Sequence, residues 1–116
     1  MSKTSPTQRS LAILRKQGYR VAITEHWNSF AKIRQDLFGF CDVLCLAPSM
    51  LAIQTTSGTN VSARITKILE LDAAREWLEA GHRIIVHGWA KRGERGAVKR
   101  WTCREEEVTL EMFLEV

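Results

Sequence analysis

The chain has 116 residues, 45% hydrophobic and 26% charged, with 17 Lys and Arg against 13 Asp and Glu and a formal net charge of +4. That length implies one domain over residues 1–116, burying about two-thirds of its unfolded surface without a metal or disulfide staple, and the composition excludes a disordered chain. Apolar runs fall far short of the ~20 residues that span a bilayer and the N-terminus lacks a signal-peptide core, so the expectation is a cytoplasmic protein with no membrane partner.

Met1 to Thr7 reads as a frayed end. Ser10 or a neighbour can cap a helix carrying Leu11, Ile13 and Leu14 up to Gly18, a natural C-terminal stop. Tyr19 to Thr24 reads as a strand, and Glu25 to Gln35 as a loop or short helical turn with Trp27, Phe30 and Ile33 at three-residue spacing. Val43 to Leu46 predicts a buried strand, Ala47-Pro48-Ser49 a turn, and Leu51 to Thr55 a partner strand, which together make a hairpin. Ser57-Gly58-Thr59-Asn60 is a turn with several candidate caps, followed by Val61, Ile65, Ile68 and Leu69 at helical spacing. Asp72 to Ala80 predicts a second helix, with Ala73, Ala74, Trp77 and Leu78 inward and Gly81 as its stop. Ile84-Ile85-Val86 within Arg83 to Trp89 marks a buried central strand, and Val98 to Cys103 its antiparallel neighbour. Glu105 to Val116 is either a last short helix or a packed tail. Helix, strand, hairpin, helix, strand, strand is the order of an α/β sandwich with a mixed central sheet.

Three cysteines, Cys41, Cys45 and Cys103, are odd in number and lie in predicted strands, so reduced thiols in the core are expected. Cys41 and Cys45 share a strand face in this reading, but a zinc site would need further ligands.

Chemistry concentrates in Arg34-Gln35-Asp36-Leu37-Phe38-Gly39-Phe40-Cys41-Asp42 and, after the intervening strand, Gln54-Thr55-Thr56. Alternate side chains of a strand share a face, so Gln54 and Thr56 point the same way and are placed to meet Asp42 across the hairpin. A carboxylate beside polar oxygens is a candidate pocket for a divalent cation. An Asp opening a strand is also a common turn or capping residue, and a buried Gln is equally served by a core hydrogen bond.

An Asp at the start of one strand, a short turn, then an acid-x-Lys on the next strand is the pattern of the PD-(D/E)XK nucleases. This chain resembles their small Holliday-junction-resolvase-like and phage-type members, and the similarity in element order runs from the first helix to about Trp101. The resemblance implies a restriction-endonuclease-like αβββαβ core, with a mixed central sheet flanked by helices. It implies a metal-dependent DNA endonuclease, acting on branched or other non-standard DNA, with Mg²⁺ or Mn²⁺ as cofactor. Asp42 matches the metal-binding Asp, Gln54 stands at the second acid and Thr56 at the lysine. Glutamine still offers a carbonyl to a hard cation, whereas threonine supplies no ammonium, which leaves a non-cutting DNA-binding or accessory module as the competing expectation.

Further members of such a site are Glu25, as another metal-binding carboxylate, and Asp36, either supporting the ligands from behind or pairing with Arg34. Lys67 or Arg64, one turn apart on the following helix, is placed to replace the lysine or to carry ordinary surface charge. Lys91, Arg92, Arg95, Lys99 and Arg100 form a basic turn, read equally as a phosphate-contacting loop or a solvated hairpin tip. His87 and Trp89 alternate on the strand beside it, where packing is the commoner role. DNA is the expected partner, and the reading is compatible with a homodimer.

Overall fold

Ser5 and Pro6 start the first helix, α1 (Pro6–Lys16): the Ser5 Oγ accepts from the Gln8 backbone N–H at 3.2 Å, and Pro6 occupies a first-turn position that needs no donor. The computed structural model describes residues 4–93, 96 and 98–114. Ser10 therefore lies within the helix and is no cap. It belongs to the buried stripe Thr7, Ser10, Leu11 and Leu14, spaced i, i+3, i+4, i+7. Gly18, at φ 92°, turns the chain into β1 (Arg20–Ile23).

A short hairpin, β2 (His26–Asn28) and β3 (Ile33–Gln35), replaces the expected loop or helical turn. The Asn28 Oδ1 accepts the backbone N–H of both Phe30 and Ala31 at 3.0 Å, which closes a local turn and competes with helix. The three-residue apolar spacing there misleads because Trp27, Phe30 and Ile33 are all exposed, so they form no buried helical face.

Next come β4 (Val43–Leu46) and β5 (Met50–Ser57), paired antiparallel with Val43 opposite Ile53 and Leu46 opposite Met50. A 3₁₀ turn (Gly58–Asn60), α2 (Val61–Ile68) and α3 (Asp72–Glu79) carry the chain to β6 (Arg83–Arg92), which lies parallel to β5. The acidic tail divides: its first residues extend β7 (Arg100–Val108), antiparallel to β6, and the rest form α4 (Leu110–Leu114). The result is an α/β fold on a mixed five-stranded sheet of order β1-β4-β5-β6-β7. Among the described residues no helix is long and apolar enough to cross a membrane.

Each face of the sheet has its own core. Val43, Cys45, Leu51 and Ile53 pack on Leu11 and Leu14 of α1. Ala52, Ile84, Val86 and Val108 pack on Val61, Ile68 and Ala74 under α2 and α3, joined by Phe40 and Cys41. Alternation along β5 explains the split, since neighbouring residues point to opposite faces. Cys45 lies in β4, whereas Cys41 precedes the strand in a loop bridged to Leu37, so the two sit in different clusters and share no face; all three thiols are free. Gly88 of β6 permits the close approach of the 3₁₀ turn, for a Cβ there would collide with the Val61 side chain and lie 3.1 Å from the Gly58 Cα. That contact sets where α2 begins, next to the end of β5.

Candidate metal centre

Asp42 lies one residue before β4 begins, where β5 runs on without an antiparallel neighbour. Its carboxylate replaces the missing strand: Oδ2 accepts the Thr55 backbone N–H at 2.7 Å, the Thr55 hydroxyl at 3.1 Å and the Gln54 Nε2 at 2.7 Å. None of these donors is on Oδ1. The Thr55 hydroxyl has one proton and gives it to Asp42, so at its 2.9 Å contact with the Thr7 hydroxyl it accepts. A directed chain thus runs from α1 through β5 to the carboxylate.

Two backbone features bring further carboxylates to Asp42. Its carbonyl accepts the N–H groups of Thr24 at 2.8 Å and Glu25 at 3.2 Å, which anchors Glu25 beside it just beyond β1. Leu37 and Cys41 exchange backbone hydrogen bonds of 2.9 and 3.1 Å, closing a tight loop whose turn uses positive φ at Phe38 (56°) and Gly39 (85°). Asp36 and Asp42 flank that closed loop, so six positions of sequence become a side-by-side pair. Glu25, Asp36 and Asp42 each offer an oxygen, and the three lie within 4.8 Å of one another.

Burial pushes the Asp42 carboxyl up to about 8, helped by its hydrogen bond to Asp36 and by the charges of Asp36 and Glu25, against the opposing Thr55 N–H. Near neutral pH the Asp42 carboxyl therefore keeps its proton. Arg34 reaches Glu25 at 3.3 Å and partly balances the cluster from the solvent side. The donor set is all oxygen and anionic, the chemistry that hard cations such as Mg²⁺ and Mn²⁺ take, and a cation would do the work now done by the proton.

The cluster opens into a cleft of about 680 Å³, lined also by His26, Arg34, Gln35, Phe38, Gln54, Thr55 and Arg64. Of the residues singled out from sequence, Glu25, Asp36, Asp42, Gln54 and Arg64 meet here. Gln54 turns its amide nitrogen to Asp42, so in this arrangement it orients the carboxylate and offers no carbonyl in that direction. Thr56 is buried on the strand opposite Gly88 and lies outside the lining, because alternation carries it past the end of β4. Its neighbour Thr55 makes the contact instead. Lys67 is exposed in the last turn of α2 and also lies outside the lining.

Lys91, Arg92, Lys99 and Arg100 are exposed where β6 and β7 project beyond the end of β5; Arg95 lies outside the described residues. An ideal Cβ on Gly58 would lie 3.9 Å from the Arg92 guanidinium, which therefore reaches back over the start of α2. Trp101 is stacked by Arg9 at 3.7 Å and approached by Lys91 at 5.6 Å. His87 and Trp89 are buried: the Trp89 Nε1 donates to the Ser10 Oγ at 2.9 Å, and that hydroxyl meets the His87 Nδ1 at 2.8 Å. Sequence reasoning missed Thr7, Thr55 and His26. Thr7 had a usable signal, a polar residue on the apolar stripe of a helix.

No protein-family model, curated protein or solved structure matches this chain.

Proposed function

We propose that the chain is a metal-dependent DNA endonuclease with a restriction-endonuclease-like core, in which Glu25, Asp36 and Asp42 hold Mg²⁺ or Mn²⁺. The observation that carries this reading is the convergence of three carboxylates in an open cleft that also contains Arg34 and Arg64. The path α1-β1-β4-β5-α2-β6, antiparallel through β5 and then parallel to β6, supports it, because that is the order an αβββαβ core requires.

Bound there, a divalent cation supplies Lewis-acid stabilisation of charge building on the phosphate oxygens. Thr55 and Gln54 hold Asp42 by Oδ2 and leave Oδ1 for the ion. Arg64 and Arg34 are placed to meet the phosphate, and His26 presents an imidazole to the same cleft. Arg92, Lys99, Arg100 and Lys91 extend the basic surface along the backbone of a bound duplex or branch.

A second reading, a module that binds DNA without cutting it, is favoured by one observation: among the described residues no lysine lines the cleft. Incubation with branched, single-stranded and duplex DNA in Mg²⁺ and in Mn²⁺ separates the two. Cleavage lost in Asp42→Asn supports the endonuclease, and cleavage that survives in Asp42→Asn places the site elsewhere. Binding without cleavage by the native chain supports the module. In that case Arg92→Ala with Arg100→Ala should flatten the salt dependence by roughly one unit of slope per lost phosphate contact.

A further inference from the structure

On the α1 face of the sheet, His87 of β6 and Cys103 and Glu105 of the edge strand β7 form a second cluster, and one ligand atom from each lies within 4.8 Å of the others. Strand register creates it: His87 is opposite Glu105 and Trp89 opposite Cys103, so Cys103 and Glu105, two apart on β7, share the face of His87. We propose that this is a site for a borderline-soft divalent cation, Zn²⁺ in the first instance, held by the His87 Nε2, the Cys103 thiolate and the Glu105 carboxylate, with a water as fourth ligand.

Three features point to a metal. The His87 ring is buried and its Nδ1 is tied to the Ser10 hydroxyl at 2.8 Å, the kind of support that orients a ligating imidazole through its other nitrogen. The His87 Nε2 then faces the Glu105 Oε1 at 3.1 Å, so a proton there stands where an ion would. Among the described residues the Cys103 sulfur has no hydrogen-bond contact closer than 3.9 Å, to the Arg104 carbonyl, and its thiol is free. Glu105 is exposed on an edge strand, which gives the ion a way in and leaves room for water.

Binding is balanced by proton movements alone. The Cys103 thiol gives its proton to solvent. The imidazole's single proton moves from Nε2 to Nδ1 and is donated to the Ser10 Oγ, whose own proton turns toward the helix carbonyl one turn back, a common helical-serine contact. Sulfur, nitrogen and oxygen together select Zn²⁺ or Co²⁺ over Mg²⁺, in contrast with the all-oxygen cleft. The ion would join β7 to α1 through His87 and Ser10, one helical turn from Thr7.

The test is titration of the reduced full chain with Co²⁺, read by visible and near-ultraviolet absorption, followed by Zn²⁺ competition and thermal melts. With excess Mg²⁺ present to fill the carboxylate cleft, the expected result is a thiolate charge-transfer band that saturates at one Co²⁺ per chain with the spectrum of a four-coordinate ion, displaced by Zn²⁺. Cys103→Ser should abolish the band, Glu105→Gln should weaken binding about tenfold or more, and Asp36→Asn should leave the band unchanged. In the same excess of Mg²⁺, Zn²⁺ should raise the melting temperature of the native chain more than that of Cys103→Ser. Absence of a thiolate band in the native chain, or a band that survives in Cys103→Ser, overturns the proposal. If Cys103→Ser fails to fold, Glu105→Gln decides: unchanged affinity there overturns it equally.

Discussion

The two polar clusters, on neighbouring strands of one sheet where Thr55 of β5 stands beside His87 of β6, solve the burial of titratable groups in opposite ways. Around Asp42, three carboxylates are forced together and relieved only in part by Arg34, Gln54 and Thr55. Around His87, complementary groups form a closed chain in which Trp89 donates to Ser10, Ser10 to His87 and His87 to Glu105. The Glu105 carboxylate can only accept, so the neutral ring carries its hydrogen on Nε2 and the Ser10 proton goes to Nδ1. Burial, ahead of the charge of Glu105, lowers the His87 pKa and keeps the ring neutral. Like charges held in a cleft carry a stability cost that a cation can offset, whereas the chain around His87 is satisfied before any ion binds, and a cation there must take the place of the Nε2 proton.

The largest effect that tests this contrast is on chemistry. Asp42→Asn keeps the size and the Thr55 contact but removes the charge, and it should lower any Mg²⁺-dependent cleavage by roughly 10²-fold or more, since the ion's stabilisation is worth several kcal/mol. The same variant should be no less stable than the native chain in alkaline buffer without metal. Native Asp42 titrates near 8 against about 3.8 when unfolded, so the folded state holds the extra proton between those values. Its contribution to stability is therefore fully present below about pH 4 and lost as pH rises through 8. Urea melts from pH 4 to 9 should show a decline that Asp42→Asn flattens and that Mg²⁺ opposes. An equal decline in both chains would mean the carboxylates do not interact as their geometry implies.

Ser10→Ala should do the reverse, destabilising the fold by about 1–3 kcal/mol at pH 7 while leaving the carboxylate cluster in place, because it strands the Trp89 N–H and the His87 Nδ1. Denaturant melts with m-values check it, and a change below a few tenths of a kcal/mol would show that water substitutes freely for the hydroxyl.

Gly39→Ala tests the loop that makes the first cluster. The residue has φ 85°, and a Cβ would lie 3.2 Å from the Leu71 Cδ1, so a loss of roughly 1–2 kcal/mol is expected, with weaker metal binding from the shift of Asp36 against Asp42. Stability lost with unchanged Mn²⁺ affinity would separate loop strain from the site.

The smallest effect belongs to the ion pair of Arg83 and Glu107, 2.8 Å apart and half exposed. The Arg83 hydrogen bond lowers the Glu107 pKa, so the pair's contribution is present above about pH 4.5 and lost as pH falls through the folded value. Solvent screening limits it, and Glu107→Gln should cost no more than about 1 kcal/mol near neutral pH, less in high salt.

Much of the scaffold is legible in the order of residues along the chain. Alternating burial in β5, the hairpin turn at Ala47-Pro48-Ser49 and the helical spacing of α2 and α3 are local patterns, and they place Asp42 and Gln54 in contact through simple register. The remainder depends on backbone angles and on where neighbouring elements stop. The closeness of Asp36 to Asp42 comes from the positive φ values at Phe38 and Gly39, which no periodicity encodes. Thr55 takes the position expected of Thr56 because β4 ends short of it, leaving an edge N–H for the carboxylate to satisfy. Arg64 reaches the cleft while Lys67 does not, because Arg64 lies one turn nearer the start of α2, the end that docks against Gly88 beside β5. Sequence by itself determined which residues alternate and which can cap or turn; tertiary structure alone decided which charges became neighbours, since proximity across loops follows from packing and local chain order does not carry it.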